Sequence, residues 1–207
     1  MMSHFSDLND LVFYIVRHGE TDWNVDGRVQ GQTDIALNPK GELQAKELAA
    51  RLQGHMFTSC YSSDLQRAYQ TAKIILHHNQ LAIEITDDRR LRERYFGAWE
   101  GKLFVDYDEA SHHEKLEVET NQAIVSRATE CFQEIALKEK KGKILVLTHG
   151  AVIRDFLYDL LKLDRETVKI SVKNTGFFKL RYAANSWVAE DFQHIDILEK
   201  ASTNFLL

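Results

Sequence analysis

Apolar positions along this chain fall into short continuous runs, separated by stretches with the spacing of helices. The runs Leu11-Val12-Phe13-Tyr14-Ile15-Val16 and Ile144-Leu145-Val146-Leu147 show no alternation, as expected of parallel strands covered on both faces. Asn38 offers a cap and Pro39 a first helical position for a helix with Ala45, Leu48, Ala49 and Leu52 on one face. Residues 57–60 read as a short strand. Ser62-Ser63-Asp64 then supply caps for a helix packed through Leu65, Ala68, Tyr69, Ala72 and Ile75, and residues 83–85 form a weak third strand. Val125, Ala128, Phe132, Ile135 and Ala136 make another helical stripe, and Ile153, Phe156, Leu157, Leu160 and Leu161 one more. Residues 177–182 and 187–192 flank the turn-like Ala183-Ala184-Asn185-Ser186 and predict a hairpin. Strand runs alternating with helical stripes predict an α/β fold, a three-layer α/β/α sandwich around a mostly parallel central sheet.

At 207 residues and 44% hydrophobic, the chain has the size of one domain with a substantial core, read as a single unit over 1–207. Residues 95–120 lack clean periodicity, are rich in charge and histidine, and read as a short, partly helical flap. The net charge of -5 argues against a nucleic-acid or anionic-membrane binder, both of which need broad basic surface. Cys60 and Cys131 sit in apolar patterns and read as buried free thiols. The N-terminus carries no basic region followed by an apolar stretch, and no run reaches membrane-spanning length, so a soluble, cytoplasmic protein is expected. The chain is read as a monomer or homodimer.

Candidate chemistry gathers where the two apolar runs end. Ligands bind beyond the carboxyl ends of strands in open α/β sheets. The first run ends in Arg17-His18-Gly19, the second in Thr148-His149-Gly150, so two strands each deliver an imidazole to that edge. Arg67 falls in the first turn of a predicted helix, where a cation opposes the helix dipole. Such a broken local rule points to function, because a guanidinium beside helix N–H groups cradles an anion. Glu93 stands between Arg92 and Arg94. Two imidazoles, two arginines and a carboxyl group suit phosphoryl transfer with histidine as nucleophile and the acid protonating the leaving group. The pairs His77-His78 and His112-His113 read as solvated surface, since adjacent side chains point apart on a helix or strand. The chemistry calls for no metal and no cofactor.

These residues stand in longer blocks: Arg17-His18-Gly19-Glu20-Thr21-Asp22-Trp23-Asn24, Gly27-Arg28-Val29-Gln30-Gly31, Leu37-Asn38-Pro39-Lys40-Gly41, Ser62-Ser63-Asp64-Leu65-Gln66-Arg67-Ala68, Glu93-Arg94-Tyr95-Phe96-Gly97-Ala98-Trp99-Glu100-Gly101 and Thr148-His149-Gly150. In that order and spacing the chain resembles the histidine phosphatase superfamily, also called the phosphoglycerate mutase-like family, across essentially residues 11 to 182. The resemblance implies that His18 carries a phosphohistidine, that Glu93 is the general acid, and that Arg17, Arg67 and His149 complete the phosphate pocket. It places Asn24, Gln30 and Gly31 nearby as substrate contacts, with Asn174 and Thr175 as further polar contacts.

Within that family, cofactor-dependent phosphoglycerate mutases carry a long insertion after the acid-bearing block, and the stretch from Glu100-Gly101 to Lys115-Leu116-Glu117 is too short to hold it. Val118-Glu119-Thr120 partly matches the Gly-Glu-Ser of many family phosphatases. A metal-independent phosphomonoesterase acting on a small phosphorylated metabolite is therefore expected. The alternatives are a phosphoglycerate mutase and a non-catalytic module that binds a phosphorylated ligand. A pure binder has no need of a general acid.

Overall fold

The apolar run that opens the chain becomes the central strand of a six-stranded sheet. A computed structural model describes residues 11–106, 118–183 and 186–200. In it, β1 (Leu11–Arg17), β2 (Phe57–Ser62), β3 (Ile85–Asp87) and β4 (Gly142–Thr148) run parallel, and β5 (Val168–Ala183) and β6 (Ser186–Glu199) extend the sheet antiparallel, in the order β3-β2-β4-β1-β5-β6. The fold is thus mixed α/β around a mostly parallel sheet. Successive side chains of a strand point to opposite faces, and both faces are covered. Phe13, Ile15, Ile144 and Val146 pack with Ile124, Ala128 and Phe132 of α4 (Asn121–Glu139) and Ile153, Phe156 and Leu157 of α5 (Gly150–Leu160). Tyr14, Val16, Leu145 and Leu147 pack with Leu48 and Ala49 of α2 (Pro39–Arg51) and Ala68, Ala72 and Ile75 of α3 (Gln66–His78). Each fully buried Leu, Ile or Phe supplies roughly 1.5–3 kcal/mol of transfer free energy, which is why the strand runs dispense with polar positions.

Local signals set several helix starts. The Asn38 side chain accepts from Gly41 N–H with Pro39 just inside α2, and Thr120 caps α4 through Ala123 N–H. Thr21 and Asn24 form a reciprocal capping box on the short α1 (Asp22–Val25). The third helix departs from expectation. It begins at Gln66 with no cap from Ser62, Ser63 or Asp64, because those side chains are engaged elsewhere. The Asp64 carboxylate is gripped by Arg92 at 2.5 and 2.6 Å, and Ser63 bonds His149. Asp34 caps the helix from another loop, accepting from Gln66 N–H at 2.7 Å.

The third strand lies at Ile85–Asp87 rather than at residues 83–85, and the hairpin strands run much longer than expected. The turn residues 184 and 185 lie outside the described residues. So does the middle of the expected flap, residues 107–117, including His112 and His113. Its flanks hold 3-10 turns at Gly97–Trp99 and Phe104–Asp106 and an isolated bridge from Leu103 to Arg28. Cys60 and Cys131 are buried and unbridged, and His77 and His78 are exposed at the end of α3. Among the described residues no helix is long and apolar enough to cross a membrane.

Candidate active site

Strands β1 and β4 are neighbours in register, with Arg17 opposite Thr148. The next residue of each strand is a histidine, so His18 and His149 emerge side by side at the carboxyl edge with ring centroids 5.1 Å apart. Both are buried. His18 Nδ1 lies 2.6 Å from the Gly19 carbonyl. A carbonyl only accepts, so Nδ1 carries the hydrogen and Nε2 keeps its lone pair. Burial, then the charges of Arg67 and Arg17, hold the His18 pKa well below its usual 6.5, against the Gly19 hydrogen bond that raises it. His149 is lowered likewise by burial and then Arg67. It stands at the start of α5 without making a cap bond, and its Nε2 sits 2.8 Å from Ser63 Oγ.

Two arginines flank the pair. Arg67 is completely buried in the first turn of α3, donating from Nη2 to Gly31 O at 2.7 Å and from Nη1 to Thr33 O at 2.9 Å. Burial brings its guanidinium down to about 10, opposed chiefly by the Glu93 carboxylate, so it remains a cation at neutral pH. Arg17 donates from Nη1 to Val172 O at 2.5 Å, and its own lowering by burial is again opposed by Glu93. Three nitrogens around these groups are buried without a hydrogen-bond partner: Arg17 Nε, Arg67 Nε and His149 Nδ1.

Glu93 reaches the same space from the loop after β3. Its Oε1 accepts Arg94 N–H at 2.8 Å and its Oε2 accepts Ala151 N–H, in the first turn of α5, at 3.3 Å. The flanking arginines turn away from it, Arg92 to Asp64 and Arg94 to the fully buried Asp155 at 2.5 Å. Arg127 binds the carbonyls of Arg90, Arg92 and Glu93 and pairs with Glu119. The acid-bearing loop is therefore pinned to both α4 and α5. Asp155 also meets Arg154 and Arg165, and breaking a buried ion pair by removing one partner costs about 3–5 kcal/mol. Asp155→Ala is expected to lose stability of that order in denaturant unfolding, and a loss below about 1 kcal/mol would show that the pair behaves as a surface bridge.

Arg17, His18, Arg67 and Glu93 all line one cleft of about 400 Å³. Asn24, Gln30 and Gly31 line it too. His149, Asn174 and Thr175 do not; His149 is buried beside His18, and Asn174 and Thr175 lie behind the nucleophile candidate, Asn174 Nδ2 and Thr175 N–H both donating to the His18 carbonyl. Asn174 also donates to Asn24 Oδ1.

The model of the histidine phosphatase superfamily (branch 1) matches residues 13–194. The chain belongs to that superfamily. A phosphoglycerate mutase-like protein 4 of Arabidopsis thaliana is 32% identical, covering 97% of this chain and 91% of that one. A metal-independent phosphoserine phosphatase of the same plant is 28% identical, covering 97% and 87%. Among solved structures, a phosphoserine phosphatase mutant of Entamoeba histolytica in complex with phosphoserine superposes with a TM-score of 0.77 at 26% identity, over 95% of this chain and 100% of that one.

In this superfamily member the cleft also contains residues to which the sequence assigned no site role. Arg28 and Arg154 line it, as do Val29, Phe96, Phe104, Ile170 and Val172. Arg154 follows His149 on the first turns of α5 and had a positional signal. The wall from β5 had none, because those residues are ordinary strand formers until the sheet brings them beside His18.

Proposed function

We propose that the protein is a metal-independent phosphomonoesterase, acting on a small phosphorylated metabolite through a phosphohistidine at His18. The observation that supports this most is the set of three buried, unpartnered nitrogens at Arg17, Arg67 and His149 beside an imidazole with a free Nε2. Buried polar groups are normally paired, and a phosphoryl group in the cleft that Arg17 and Arg67 line would bring oxygens to them. Leu65 N–H donates to Ser63 Oγ, and a Ser63 hydroxyl hydrogen given to His149 Nε2 leaves the proton on Nδ1, where it donates to the phosphoryl oxygens.

In this reading His18 Nε2 attacks phosphorus as the ester P–O bond breaks. The guanidiniums and His149 hold the equatorial oxygens where negative charge is largest. The protonated form of Glu93 gives its proton to the departing alkoxide, becomes a carboxylate, and takes a proton from the water that then attacks the phosphohistidine. Inorganic phosphate leaves and His18 is regenerated. The leaving group faces an apolar wall with Arg28 and Arg154 also on the lining, consistent with a small organic ester. Phosphate release from a panel of phosphometabolites, with and without chelator, tests the reading. A coupled mutase assay primed with 2,3-bisphosphoglycerate runs beside it, and mutase turnover far above hydrolysis would overturn the hydrolase assignment.

The pH dependence follows from the lowered histidines. The reactive form of His18 is neutral, and its folded pKa lies well below 6.5. Activity governed by His18 therefore persists as pH falls through 6.5 and is lost only lower, at the depressed value. Stability moves differently. The unfolded chain binds protons on both histidines below 6.5 while the folded chain does not, so stability decreases from about 6.5 downward until the folded values are reached. A kcat/KM profile whose acidic limb is centred at 6.5 or above, with that limb moved by substitution of His18, would contradict this.

A further inference from the structure

The loop that carries Gly31 is gripped from two sides. On one side Arg67 holds the carbonyls of Gly31 and Thr33. On the other, Glu100 Oε1 accepts Gln32 N–H at 2.9 Å, and its Oε2 accepts Thr33 N–H at 2.8 Å and the Thr33 hydroxyl at 2.6 Å. The Gly31 carbonyl and the Gln32 N–H belong to the same planar peptide group. One rigid unit thus has a guanidinium on its oxygen edge and a carboxylate on its nitrogen edge, each polarising it in the same sense. The contact demands glycine. Gly31 has φ of +54°, and a Cβ there would stand 2.1 Å from Glu100 Oε1.

Glu100 also ties this loop to the acid. Its Oε1 accepts Phe96 N–H at 3.2 Å, and the Gln32 side chain donates to the Glu93 carbonyl at 3.2 Å. Four donors converge on one partly buried carboxylate that does not itself line the cleft. Such a group does more than a solvated surface glutamate, and its charge is among those that keep Arg67 protonated.

We infer that Glu100 is a positioning residue that aims Arg67 at the phosphoryl group through the intervening peptides. This rests on the reading of the His18 cleft as a phosphoryl-transfer site. A long arginine side chain has many rotamers, and misplacing a charge-stabilising group by about 1 Å costs on the order of 100-fold in rate. In Glu100→Gln the amide hydrogens would face N–H donors, so at least one contact to the loop is lost and the peptide edge relaxes.

Orthovanadate, a mimic of the pentacoordinate transition state, is the probe. Its affinity is measured by calorimetry on the intact chain, beside p-nitrophenyl phosphate turnover, for wild type, Glu100→Gln, Arg67→Lys and the double variant. Glu100→Gln is expected to weaken vanadate binding and to lower kcat/KM, each by about tenfold. Added to Arg67→Lys it is expected to cost less than about twofold more, since groups acting in one chain are not additive. Gly31→Ala, which pushes the carboxylate off the loop, should reproduce the loss if Glu100→Gln folds poorly, and Glu100→Asp should recover part of it. Unchanged vanadate affinity in folded Glu100→Gln, or fully additive losses in the double variant, would overturn the inference. A wild-type protein that binds vanadate but hydrolyses no phosphomonoester would refute the phosphatase reading alone, leaving the clamp to be judged on binding. One that does neither refutes both.

Discussion

His18→Ala is expected to abolish turnover, by roughly 10⁴-fold or more, because no other group in the cleft has a nucleophilic nitrogen held in the same tautomer. Its Nδ1–H is committed to the Gly19 carbonyl, and the neighbouring imidazole of His149 spends Nε2 on Ser63. The fold should survive. His18 N–H bonds Thr148 O through the backbone, and its carbonyl accepts from Asn174 and Thr175, contacts that alanine retains. Wild-type enzyme quenched during turnover of labelled substrate should carry acid-labile phosphate, and the alanine variant none. Near-normal phosphate release by a folded His18→Ala would remove the nucleophile from this cleft.

Glu93→Gln is expected to separate substrates by their leaving groups. Alkyl phosphates expel a basic alkoxide and should slow by roughly 10²–10³-fold, the usual scale of general-acid catalysis. p-Nitrophenyl phosphate expels a stable phenolate and should slow far less. The substitution is conservative in shape, since one amide oxygen still accepts a backbone N–H where the carboxylate accepts from Arg94 and Ala151. Steady-state kcat/KM on both esters decides the matter: equal losses would assign Glu93 an electrostatic role in place of proton transfer.

Much of the scaffold was legible because its information is local. The unbroken runs at Leu11 and Ile144 need no partner to be recognised as buried strands, and the Asn38-Pro39 start of α2 carries its own cap. The paired histidines and Arg67 were legible for the same reason, each standing at a strand end or helix start. What escaped was set by contacts between distant segments. Asp64 looks like a helix cap until Arg92 is seen to claim it, and Asp34 does the capping from a separate loop. The second hairpin strand, β6, runs mostly through exposed and half-buried positions, so its apolar content fades before its pairing does, and it continues to Glu199. Glu100 gave no hint of its four donors, because three of them are backbone N–H groups and the fourth is a loop hydroxyl. Asn174 and Thr175 are polar residues beside the site, but they act on the main chain of His18 rather than on the cleft.

The registration of β1 against β4 has a consequence for how activity is acquired. The two imidazoles share a height only because Arg17 faces Thr148. A slip of one residue would shift them by about 3.3 Å and turn the slipped strand's side chains to the other face of the sheet. The strands that must find this alignment are separated by most of the chain, so their pairing carries a large loop-closure entropy and belongs among the slower contacts to form. A partly folded chain with every helix in place but that pairing absent has no second imidazole beside the first. If the two histidines act as proposed, enzymatic competence is in this sense a report on the most distant strand pairing in the parallel sheet.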